Sequence, residues 1–226
     1  MKIKPRILVL FISLFVSGYT MAGGITLGKT RMILPSDATQ TSISVRNTSG
    51  ENTYLIQSWV SDEKGNKSHD FISTPPLFVI NPNAENIVRL ELVGKPTWAN
   101  DRETLYYFNS KAIPSTKKDG DGNSLQIATQ TVIKFFVRPK ALSMTQEEAQ
   151  KSLSCTYQSN QIVINNPSPY YISMVNIKFG KENSSSMMVP PKSSSKIMTK
   201  NNVKNIEYQL INDFGAVSNK KTCPIT

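Results

Sequence analysis

Short runs of alternating apolar and polar residues, each ended by glycine, proline, asparagine or serine, recur along the chain and set what it can become. In Thr41-Ser42-Ile43-Ser44-Val45-Arg46-Asn47 the apolar residues fall at every second position. That period lines one face of an extended strand and would scatter around a helix, so the run reads as a half-buried strand. Tyr54-Leu55-Ile56-Gln57-Ser58-Trp59-Val60 is aromatic and β-branched, as strands prefer. The run at 75–82 is bracketed by prolines, which confine it to a short or edge strand. With 25–34, 86–93, 105–112 and 125–137, these make about seven strands, enough for one sandwich. Segments 161–166, 170–179, 205–211 and 215–223 repeat the theme. The serine runs at 184–186 and 193–195 read as loops or strand edges. Only 145–153 has helical character, with Thr145 three residues before Glu148 as a capping box. The class is all-β, in two domains of residues 23–140 and 141–226, with the linker near 138–142.

The start of the chain is of another kind. Lys2, Lys4 and Arg6 precede an apolar run of about ten residues, and Thr20 and Ala22 occupy the −3 and −1 positions of a cleavage site. A bilayer span needs roughly 20 apolar residues, so 1–22 reads as a cleaved secretory signal and not as an anchor. About 200 residues remain, the size of two sandwiches of roughly 100 each. The expected destination is an oxidising compartment outside the cytoplasm.

Chemistry narrows the function classes. Cys155 and Cys223 are the two cysteines, both late in the chain and far from CxxC spacing, so they read as a structural disulfide of the second domain. His69 is the one histidine and lies in a polar loop, which weakens zinc and serine-hydrolase readings. The loop Lys117-Lys118-Asp119-Gly120-Asp121-Gly122-Asn123 begins like a calcium loop. An EF-hand loop ends on a glutamate at its twelfth position, where this chain has Gln130. No phosphate loop, dinucleotide fingerprint or basic-aromatic RNA motif is present. The net charge of +10, lowered by loss of the signal, fits acidic protein partners or solubility better than nucleic acid in an exported protein. No enzyme activity and no cofactor are expected.

The most informative stretch is Leu125-Gln126-Ile127-Ala128-Thr129-Gln130-Thr131-Val132-Ile133-Lys134-Phe135-Phe136-Val137-Arg138-Pro139. Its odd positions form one face, and it is far longer than the usual five or six residues of a strand. It resembles the last first-domain strand of the PapD-like pilus-assembly chaperones. Asp101-Arg102-Glu103-Thr104-Leu105-Tyr106-Tyr107-Phe108-Asn109 resembles the strand before it. Thr30-Arg31, Trp59, Pro75-Pro76-Leu77-Phe78, Asn166-Pro167-Ser168-Pro169-Tyr170-Tyr171 and Ile211-Asn212-Asp213-Phe214-Gly215-Ala216 are similar too, in the same order along the whole mature chain.

That resemblance implies two immunoglobulin-like sandwiches in a boomerang, and a periplasmic protein that lends a strand to fimbrial subunits, adhesin included. The subunits lack their own last strand and are passed to an outer-membrane usher without ATP. It implies Leu125, Ile127 and Thr129 as the donated residues; Thr129 departs from the larger aliphatic residue usual there and implies a weaker third contact. It implies Arg31 and Lys134 as the anchor of the subunit's C-terminal carboxylate, although simple alternation sets Lys134 opposite the donated face. Glu103, Arg138 and Asp213 are implied as an interdomain charge network. The short loop before the long strand is similar to one branch of the family, and a self-capping homodimer is implied as a state of the free chain. Two rivals fit less well: a pilin would lack a strand, and an enzyme would need a richer set of catalytic groups.

Overall fold

A computed structural model describes residues 23–115, 126–199 and 203–225. The expected signal at 1–22, the loop at 117–123 and Leu125 lie outside the described residues. The fold is nearly all strand, in two sandwiches joined after residue 138.

In the first sandwich, one sheet contains β1 (Ile25–Leu27), β3 (Gln40–Asn47), β7 (Glu85–Leu92) and β5 (Phe71–Thr74). The other runs in the order β2 (Arg31–Pro35), β9 (Thr129–Arg138), β8 (Thr104–Pro114), β4 (Tyr54–Ser61) and β6 (Leu77–Ile80). The proline-bracketed run thus forms an edge strand, as its composition implies. Alternation selects the core: Ile43, Val45, Val88 and Leu90 of the first sheet meet Met32, Leu34, Ile56, Phe108 and Phe135 of the second, all buried. Phe71 packs edge-on against Phe135, with ring centroids 4.9 Å apart.

The expected single strand at 25–34 is two strands in two sheets. β1 pairs with β3, and β2 pairs in parallel with β9. The chain crosses between sheets at Gly28, whose N–H donates to Ser44 O at 2.9 Å and where a Cβ would run into the Ser44 hydroxyl. The phase of the alternation changes there: Ile25 and Leu27 pack on the core before the crossing, and Met32 and Leu34 are buried in it after.

The second sandwich opens with the short helix α1 (Gln146–Lys151), started by the expected capping box. Thr145 N donates to Glu148 Oε2 at 2.7 Å, and Glu148 N donates to Thr145 Oγ1 at 3.3 Å. One sheet is β10 (Ser154–Gln158), β11 (Gln161–Asn166) and β15 (Ser193–Met198). The other is β13 (Glu182–Ser184), β12 (Ile172–Phe179), β16 (Asn205–Leu210) and β17 (Lys221–Pro224), with β14 (Met187–Val189) also on β12. The Cys155–Cys223 disulfide ties β10 to β17, and so one sheet to the other.

Residues 193–195 belong to β15, which lies at the edge of its sheet, the second of the two alternatives read for this run, with one deeply buried apolar residue, Ile197. One expectation needs correction here. The span 215–223 is not one strand: a turn at 213–214, where Asn212 Oδ1 accepts from the N–H groups of Phe214 and Ala216, folds the chain back, and an isolated bridge of Val217 to Ile211 is followed by irregular chain. Only Lys221–Pro224 is extended strand at that end.

Both sandwiches use one device after a core strand. Buried Asn47 donates to the carbonyls of Asn52 and Asn81, and its Oδ1 accepts from Ser49 N–H. Buried Asn166 donates to the carbonyls of Tyr170 and Pro190, and its Oδ1 accepts from Ser168 N–H. Each asparagine satisfies buried backbone groups of the loop that reverses the chain.

Candidate functional site

The site grows from the parallel pairing of β2 with β9. Their register sets Arg31 beside Lys134 and Pro35 beside Arg138. Pairing stops there, so from 129 to 133 the outer edge of β9 has no strand partner among the described residues. Its other edge is held by β8 as far as Ala112 opposite Thr129. An unpaired strand edge exposes a row of N–H and C=O groups ready for another chain.

Along β9 the two faces meet different surroundings. Ile133, Phe135 and Val137 point into the first core. Lys134, Phe136 and Arg138 point the other way and meet the second sandwich, which is why Phe135, Phe136 and Val137 are buried in succession. The Phe136 and Tyr171 rings lie 5.6 Å apart. Above Ile133 the sandwich no longer covers the strand: Thr129 and Thr131 are exposed, and Ile127, on the extended chain before β9, is 66% exposed. Of the three expected donor residues, Ile127 and Thr129 are placed on this open stretch.

Lys134 donates to Ser173 Oγ at 3.2 Å and forms no ion pair among the described residues. Burial and the neighbouring Arg31 guanidinium lower its ammonium below the ordinary lysine value. Arg31 is buried, donates through Nη1 to Ile211 O at 3.2 Å, and leaves its Nε buried without a partner. Burial lowers its basicity too, against the pull of Asp213 and Glu103. Two adjacent, half-desolvated cations and one orphan donor call for an anion.

Beneath them Glu103, Arg138 and Asp213 come together across the two sandwiches. Arg138 Nε donates to Glu103 Oε1 at 2.7 Å, and its Nη1 and Nη2 donate to Asp213 at 2.7 and 2.9 Å. Burial pushes the Glu103 carboxyl up, opposed by Arg138 and by the Tyr171 N–H that it accepts at 2.8 Å. Arg138 is held above the ordinary arginine value by its two carboxylates. Three cations therefore share the cleft with two carboxylates, both already committed to Arg138.

Sequence reasoning missed the groups from the second sandwich that complete the cleft. Ser173 meets Lys134, Tyr171 N–H meets Glu103, Gln146 Nε2 donates to Asp213 at 2.6 Å, and the Tyr170 ring lies 5.1 Å from the Arg138 guanidinium carbon. Tyr170 and Tyr171 stood within a recognised string, which was their only signal. Among the described residues no helix is long and apolar enough to cross a membrane, and no cluster of metal-ligating side chains occurs.

The site is thus an open strand edge over a cationic cleft between two immunoglobulin-like sandwiches. The family model for pili and flagellar-assembly chaperones, PapD N-terminal domain, matches residues 24–143, and that for the pili assembly chaperone PapD, C-terminal domain, matches 148–222. The chain is 43% identical over 203 residues to the probable fimbrial chaperone protein ElfD of Escherichia coli K12, covering 89% of this chain and 87% of that protein. The crystal structure of the periplasmic chaperone SfaE superposes with a TM-score of 0.78 at 33% identity, over 89% of this chain and 100% of that one. A chain of the Salmonella enterica complex of SafA pilin with the SafB chaperone gives a TM-score of 0.80 at 27% identity, over 89% and 96%. The protein belongs to the PapD-like family of fimbrial chaperones of the chaperone–usher pathway.

Proposed function

We propose that this chain, exported to the periplasm after loss of residues 1–22, caps fimbrial subunits and their adhesin by lending them the open edge of β9. The carrying observation is that this edge ends at an un-neutralised cationic pair, Arg31 and Lys134. A subunit lacking a strand exposes backbone groups and an apolar groove; β9 and the segment just before it supply hydrogen bonds to the first and the side chains of Leu125, Ile127 and Thr129 to the second. The subunit's C-terminal carboxylate binds Arg31 and Lys134 and thereby fixes register, since a slip of one residue would turn the wrong face inward. Glu103, Arg138 and Asp213 hold the cleft in shape. The relation to SafB, solved with a pilin, supports the partner class. Delivery to an outer-membrane usher proceeds without nucleotide, driven by the subunit's own folding.

Co-expression with candidate pilins in the periplasm tests this reading. With a pilin, wild type is expected as a soluble one-to-one complex on gel filtration, and the same column reads whether the free chain runs as monomer or self-capped dimer. Lys134→Ala removes a charged hydrogen bond of roughly 1.5–3 kcal/mol, so the complex weakens at least about tenfold. Equal binding by the variant would remove Lys134 from the anchor, and absence of any subunit complex with wild type would sink the function. Thr129→Leu carries the opposite expectation. It enlarges the third donated contact by roughly one buried methylene or more, about 1 kcal/mol, and slows subunit dissociation several-fold in a competition assay.

A further inference from the structure

Beside Lys134, on the second sandwich, the structure has a pocket of ≈ 170 Å³. Lys134 borders it, and β12 and β14 build its walls, with Met188 opposite Ser173 and Met187 opposite Met174. Val175 and Ser186 line it as well, and Lys134 is the only charged residue among its lining. The cleft therefore continues from a cationic mouth into a mostly apolar chamber.

Volume, lining and charge each restrict what such a chamber can hold. An apolar cavity of about 150 Å³ admits benzene, so this one has room for a single leucine- to phenylalanine-sized side chain. Met188, on the face of Ser173, offers an unbranched and polarizable thioether that adapts to aliphatic or aromatic shapes, while Met174 and Met187 belong to the second core behind it. At the mouth, Lys134 has no acidic partner among the described residues and Arg31 Nε is buried without an acceptor. The fitting occupant carries an anion and an apolar group on neighbouring atoms. A peptide's last residue does so, because its carboxylate and side chain leave the same Cα.

We infer that this pocket receives the side chain of the bound subunit's last residue and selects subunits with apolar or aromatic ends. The inference rests on the carboxylate anchor proposed above. A carboxylate held by Lys134 delivers its own side chain to the space that Lys134 borders. A lysine at that position would set a second ammonium group against Lys134, in a chamber without a carboxylate.

The test uses the mature full chain and short, fluorescently labelled peptides of alternating valine and threonine, read by anisotropy. The peptides differ only in the last residue (glycine, leucine, phenylalanine or lysine), each as free acid and as C-terminal amide. Free acids ending in leucine or phenylalanine are expected to bind about tenfold tighter than the glycine peptide. The lysine peptide gains nothing. Ser186→Trp, which covers the mouth, and Val175→Phe, which fills the chamber, reduce that preference to within about twofold while the glycine peptide binds as to wild type. Thermal melting shows which variants keep the fold. Equal binding of all free acids, with the amides weaker, would overturn the pocket and leave the anchor standing. Amides that bind as well as acids, or no binding by any peptide, would overturn both.

Discussion

Arg138→Ala is expected to cost about 3–5 kcal/mol of unfolding free energy, because it strands a buried carboxylate. The Glu103 side chain is only 2% exposed and would keep a single N–H donor, that of Tyr171. Asp213 would lose both arms of its fork and retain Gln146. Chemical denaturation measures the loss, and the first and second sandwiches are expected to melt separately once this tie is cut. Arg138→Lys keeps the charge but cannot span Glu103 and Asp213 with a planar fork, so it recovers only part of the loss. Lys140→Ala is the control. Lys140 pairs with Asp37 at 3.1 Å in solvent, with side chains 81% and 54% exposed, where water screens the pair and its loss leaves stability nearly unchanged. Arg138→Met combined with Glu103→Leu is expected to cost less than Arg138→Ala, since it no longer strands the most deeply buried carboxylate of the network, that of Glu103. Equal losses from Arg138→Ala and Lys140→Ala would show that the network carries no special weight.

The paired change Cys155→Ala and Cys223→Ala is expected to destabilise the second sandwich by about 4 kcal/mol. The bond closes a loop with a sequence separation of 68, and the chain-entropy model gives a value of that order for such a loop. It also joins β10 to β17, the last strand, across the two sheets. Loss of the bond therefore releases the C-terminal end first, and the denaturation transition of the first sandwich stays where it was. Reductant added to wild type should reproduce the shift. Mass spectrometry of non-reduced peptides from periplasmic material checks that the bond forms there; a fully reduced pair would remove the basis of the expectation.

Much of this architecture was legible because its determinants are local. Alternation in 41–47 marks Ile43 and Val45 as core, and Thr145 with Glu148 announces the one turn of helix that opens the second sandwich. Glu103, Arg138 and Asp213 were legible only through the strings around them; no spacing rule links residues so far apart. β15 was legible only as a loop or a strand edge for a physical reason, since an edge strand rich in serine buries too little to raise a hydrophobic signal. Phe136 was misleading in the same way. Its neighbours obey alternation, and its burial comes from Tyr171 on another domain. Ser173 gave no sign at all, because its meeting with Lys134 depends on how the two sandwiches are set.

The parallel run of β2 beside β9 constrains any guest on the proposed site. β2 begins at Arg31, opposite Lys134, and leaves the edge above it vacant. A chain held there by its terminal carboxylate and lying along residues 129–133 must travel towards Lys134, in the same direction as β9. Guest and β2 then make one interrupted row, tail to head, and the guest is paired in parallel. Parallel ladders are slightly less stable per residue than antiparallel ones. On the proposed reading the guest is therefore held in a ladder slightly weaker per residue than the antiparallel one its own fold could form.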